Sequence, residues 1–68
     1  MMANQDSFQV GDKVRVKCIA EPDTEGTVDH VTPRTLRIAT AHGTFPLYTF
    51  RDGQWFDGRY PATITKIV

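Results

Sequence analysis

The stretch RDGQWFDGRY, Arg51 to Tyr60, places a Trp-Phe pair between two Asp-Gly dipeptides. A two-residue hairpin loop needs positive φ angles, which Asp and Gly tolerate, so each Asp-Gly marks a chain reversal. Asp52-Gly53 is expected to close a tight hairpin. Asp57-Gly58 is expected to end the next strand, Gln54 to Phe56, after about three residues. Trp55 and Phe56 are neighbours on that strand, so their side chains point to opposite faces. One of the two rings must therefore leave the interior.

Working back from this stretch, a strand from Thr44 to Arg51 carries Phe45, Leu47, Tyr48 and Phe50. Pro46 cannot donate a ladder hydrogen bond, which puts that part at a sheet edge or a bulge. Before it, Leu36 to Thr40 reads as a strand that buries Leu36 and Ile38 and exposes Arg37 and Ala39, followed by an Ala41-His42-Gly43 turn. Thr32-Pro33-Arg34-Thr35 has proline where a type I turn accepts it. Gly26 to Thr32 forms a further strand with Val28 and Val31 inward; their spacing of three predicts a bulge near Asp29 or His30. AEPDTE, Ala20 to Glu25, reads as a loop.

The first strand follows the Gly11-Asp12 turn. Val10, Val14, Val16 and Cys18 alternate with Lys13, Arg15 and Lys17, giving one apolar and one basic face. At the other end, Pro61 is expected to delay pairing before a last strand, Ala62 to Val68, with Ile64, Ile67 and Val68. Met1 to Ser7 is polar and aperiodic, a frayed arm ahead of a single domain over residues 8–68. No segment carries a helical stripe. The fold class is all-β, five or six short antiparallel strands without substantial helix. A small barrel is preferred because closure removes sheet edges. Its core is expected to hold Phe45, Leu47 and one of Phe50 and Tyr48.

Residues 10–38 resemble the KOW-type and Tudor-like members of the SH3-like barrels. The matching positions are Gly11, Asp12, Val14, Val16, Gly26, Val28, Val31, Leu36 and Ile38. The resemblance implies an SH3-like barrel. It also implies a binding surface, either an aromatic groove near the loops or a basic face that contacts nucleic acid. The acidic AEPDTE stands where KOW sequences usually carry a further glycine element.

At 68 residues the chain buries only about 60% of the surface its unfolded form exposes, which leaves little material for an enclosed catalytic pocket. His30 beside Asp29, and His42, have no Ser or Cys nucleophile in evident arrangement, so no enzyme activity is expected. A single cysteine, Cys18, excludes an internal disulfide and reads as a buried small hydrophobe. The histidines lack ligand spacing, and turn chemistry accounts for Asp52 and Asp57, so neither metal nor cofactor is expected. The N-terminus has no signal-peptide pattern, and no apolar run approaches the ~20 residues of a membrane span. A cytoplasmic location without membrane contact is the expectation.

Eight Lys and Arg offset eight Asp and Glu, so no bulk charge attracts polyanions. The charge is nevertheless sorted: Glu21, Asp23, Glu25 and Asp29 form an acidic run between basic segments. Six of the seven aromatics lie between Phe45 and Tyr60. The leading expectation is a binding module that takes a protein partner or a second copy of itself. Trp55 or Phe56 serves as its anchor, with Tyr48 and Tyr60 beside it. The alternative is nucleic-acid binding through Lys13, Arg15, Lys17 and Arg37, with the first three about 7 Å apart along one strand face. The acidic run is expected to shield that face.

Overall fold

The computed structural model of the protein describes residues 8–19 and 21–67. The expected N-terminal arm and Val68 lie outside the described residues. Six strands follow in order: β1 Lys13–Cys18, β2 Glu21–Val31, β3 Thr35–Thr40, β4 Leu47–Arg51, β5 Gln54–Asp57 and β6 Tyr60–Lys66. Each pairs antiparallel with the next, and β6 returns to β1, so the six form a closed all-β barrel with no helix among the described residues. This architecture is compatible with an SH3-like barrel.

β1 behaves as its alternation predicts. Val14 and Val16 are buried, while Lys13, Arg15 and Lys17 are exposed. The interior is completed by Phe8, Val28, Leu36, Ile38, Tyr48, Trp55, Ala62 and Ile64, with Cys18, Val31 and Phe50 half-buried against them. Cys18 is thus packed on the core rather than fully inside it. Val10, expected on the apolar face, is 66% exposed because it belongs to the turn before β1 and not to the strand. Phe8 takes its place inside and meets the Trp55 ring edge-on at 6.0 Å.

β2 is longer than the sequence predicts. Its first half, Glu21 to Glu25, reads as a loop in the sequence but pairs with β1 in the barrel. β3 pairs with β2 only from Gly26 onward, so one edge of that half is unpaired. A proline such as Pro22 is tolerated beside an unpaired edge, where its missing N–H breaks no ladder. The register of β2 on β3 shifts between Val28 and His30, the bulge that the Val28–Val31 spacing predicts. Gly26 marks the close approach of these strands: a Cβ there would stand 2.5 Å from the Ala39 carbonyl oxygen.

Both reversals form, but only Asp52-Gly53 is itself the loop; Asp57 stays in β5, one residue beyond the expected end, and the second loop is Gly58-Arg59. Asp52 and Gly53 adopt φ of 54° and 73°, the pair of positive angles required by a tight loop between Arg51 and Gln54. After β5, Gly58 and Arg59 link Asp57 to its partner Tyr60. Pro61 does not delay β6; it pairs with Phe56. A two-residue loop makes Asp57–Tyr60 the hydrogen-bonded pair, so the Phe56–Pro61 pair asks no donor of the proline.

The order of inward residues in β4 corrects the expected core. Tyr48 lies opposite Leu36, and Phe50 opposite Trp55, so Tyr48 and Phe50 turn inward. Alternation then sends Leu47 out, 53% exposed. Phe45 precedes the strand and is 58% exposed. Trp55 is 6% exposed, wedged between Phe8 and Phe50, whose ring centroid lies 4.9 Å from its own.

Candidate functional site

The antiparallel order puts the β1–β2, β3–β4 and β5–β6 connections at one end of the barrel. A groove of about 510 Å³ opens there. Its walls come from four strands and the β3–β4 connection: Glu21 on β2, Thr40 at the end of β3, Tyr48 on β4 and Asp57 at the end of β5, with His42, Phe45 and Pro46 from the connection.

The wall between β3 and β4 is held by its own hydrogen bonds. Thr40 N–H donates to the Thr44 carbonyl at 2.9 Å, and the two hydroxyl oxygens lie 2.7 Å apart. Gly43 N–H donates to the Thr40 carbonyl at 3.1 Å, with Gly43 at a φ of 82°. Ile38 N–H then donates to the Pro46 carbonyl at 3.0 Å, which keeps this segment against β3 before regular pairing resumes. Phe45 is left displayed between two anchored residues. The Arg37 guanidinium lies 6.0 Å from its ring centroid.

Tyr48 forms the floor. The residue is 3% exposed, and burial pushes its hydroxyl pKa up to about 12, with the negative charges of Asp57 and Glu21 acting in the same direction. The groove therefore combines aromatic and proline surface with two carboxylates, Glu21 and Asp57.

The anchor residues expected from sequence divide accordingly. Trp55 belongs to the core, because its pairing with Phe50 and Ala62 turns it inward. Phe56 is the outward member of the pair, half-buried beneath the Arg51 guanidinium at 3.8 Å from its ring centroid. Tyr60 is 43% exposed at the start of β6, and Tyr48 lines the groove while almost fully buried. The structure therefore does not gather these four residues into one rim.

The basic face is partly neutralised. Arg15 donates to Glu25 at 2.7 Å, a pair that raises the guanidinium pKa further, and Arg37 pairs with Asp29 at 2.6 Å. Among the described residues no ion pair involves Lys13 or Lys17. Glu21, expected among the shielding acids, stands in the groove instead. No group of three or more His, Cys, Asp or Glu among the described residues could hold a metal ion.

Sequence reasoning did not find the groove, because Glu21, Phe45 and Asp57 become neighbours only on closure. No helix among the described residues is long and apolar enough to cross a membrane. Compared with known proteins, the chain matches no family model, no curated protein and no solved structure.

Proposed function

We propose that this protein is a small non-enzymatic binding module whose groove captures a segment of a protein carrying a basic side chain next to apolar ones. The observation that carries this reading is the placement of Glu21 and Asp57 around the buried Tyr48, below the exposed Phe45. A guanidinium or ammonium entering there meets two carboxylates, beside the exposed Phe45 ring whose face also attracts cations. Apolar neighbours on the same segment gain contact with Phe45 and Pro46. The barrel belongs, on this reading, to the SH3-like kind with KOW-type or Tudor-like strands. Support comes from the residue 10–38 pattern and the close approach at Gly26.

Zero net charge and the pairing of Arg15 and Arg37 favour a protein over a nucleic acid as partner, since nucleic-acid affinity rests chiefly on phosphate neutralisation. The test is a titration of a short labelled peptide alternating arginine and leucine. Wild type is compared with a Glu21→Gln/Asp57→Asn variant, and with labelled RNA and DNA at several salt concentrations. The expected result is peptide binding that weakens about tenfold in the variant. Nucleic-acid binding at low salt that is indifferent to these two substitutions overturns the reading.

A further inference from the structure

We infer that the groove's occupant is a second copy of this chain, whose Arg34 enters between Glu21 and Asp57. The inference rests on the groove reading above and names the partner. Its first support is the geography of charge. The β2–β3 turn, Thr32 to Thr35, lies at the barrel end opposite the groove, as antiparallel order requires. There Arg34 is exposed, and no carboxylate among the described residues pairs with it. Arg51 stands beside it; Pro33, Arg34, Phe50 and Arg51 line one depression. Asp52 touches Arg51 only at 3.7 Å, with a carboxylate 85% exposed. One end of the molecule thus offers guanidinium groups beside proline and phenylalanine. The other offers Glu21 and Asp57 beside the same kinds of apolar surface, with the exposed Arg59 on the neighbouring β5–β6 turn.

The turn that carries Arg34 is already set in one shape. Thr32 N–H donates to the Thr35 carbonyl at 3.0 Å, and Thr35 N–H returns a bond to the Thr32 hydroxyl at 3.0 Å. Arg34 N–H shares that hydroxyl at 3.3 Å, while the Arg34 carbonyl accepts Phe50 N–H at 2.7 Å. A turn fixed this way loses little backbone entropy on docking, so more of the contact energy appears as affinity. The net charge of zero removes the long-range repulsion that keeps like copies of a charged protein apart. With Arg34 at one end and Glu21 and Asp57 at the other, the contact between copies is head to tail.

Head-to-tail contact is heterologous: each copy uses one surface as donor and another as acceptor, so the chain of contacts continues or closes into a ring. This sets it apart from a two-fold dimer and supplies the test. Sedimentation velocity is run over a concentration series on wild type, on Arg34→Glu and on Glu21→Gln/Asp57→Asn, after circular dichroism shows all three folded. Wild type should grow with concentration and dissociate with added salt. Each variant should associate about tenfold or more weakly. An equimolar mixture of the two variants should form dimers and nothing larger, because it retains one good turn and one good groove.

Wild type that stays monomeric, or an Arg34→Glu variant that assembles as wild type does, overturns the inference. The arginine–leucine peptide separates this from failure of the groove reading. If the peptide binds wild type and not the groove variant while no self-association occurs, the groove stands and the second copy is wrong. If the peptide does not bind either, both fall.

Discussion

Trp55 and Phe56 are adjacent residues with opposite fates. Trp55 packs edge-on against Phe8 and Phe50 inside the barrel, while Phe56 faces outward under Arg51. Trp55→Ala should therefore cost about 3–5 kcal/mol in denaturant unfolding, the range for emptying a large aromatic site. That is a large fraction of the total for so small a domain, roughly 0.05–0.15 kcal/mol per residue. Phe56→Ala should cost about 1 kcal/mol, since only part of its surface leaves contact. Equal losses for the two variants would contradict the inward placement of Trp55. Tyr48 adds a pH signature. Its folded pKa stands at about 12 against 10.0 for the free side chain, so the folded state holds the proton more tightly. The resulting stabilisation is complete below pH 10 and is lost as pH rises through 12. Its size is at most about 2–3 kcal/mol, because a tenfold change in proton affinity corresponds to about 1.4 kcal/mol. Melting temperature measured from neutral to strongly alkaline pH should fall more steeply over that window for wild type than for Tyr48→Phe. Parallel curves would show that the hydroxyl titrates as it does in water.

Among the elements, β2 and β3 depend on Gly26. An added Cβ would meet the Ala39 carbonyl at 2.5 Å and the Ile38 Cγ2 at 2.7 Å, and a backbone carbonyl cannot move aside without opening the ladder. Gly26→Ala should destabilise by about 1–3 kcal/mol in thermal or denaturant unfolding, as overpacking does. A neutral effect would mean the strands lie farther apart. β1 is legible from sequence because strict alternation of Val14 and Val16 with Lys13, Arg15 and Lys17 admits only one parity. β4 is not. Leu47 and Tyr48 are adjacent and both apolar, so local pattern cannot say which turns inward; Leu36 across the ladder decides it. The first half of β2 is hidden for a different reason. Its proline and acids have low strand preference, and only pairing with β1 draws Glu21 to Glu25 into the sheet. The Asp52-Gly53 turn is legible because its backbone angles are a property of the residues themselves, whereas the second loop falls one residue later than its Asp-Gly suggests, at Gly58-Arg59.

At the scale of the whole molecule, closure between β1 and β6 creates both the core and the groove. Glu21 and Asp57 are far apart in the chain and reach one groove only because the barrel brings the ends of β2, β4 and β5 together. No periodicity within a segment carries that information, which is why the sequence points to aromatics near Trp55 and misses the acidic groove. On the proposed reading, the groove end of the barrel is the binding surface. That reading is tested most directly by backbone amide chemical-shift mapping while the arginine–leucine peptide is added to the labelled protein. Shifts should concentrate at Glu21, at the residues from Thr40 to Tyr48 and at Asp57, with Lys13, Arg15 and Lys17 undisturbed. Shifts centred on the three basic residues of β1, or spread evenly over the barrel, would contradict it.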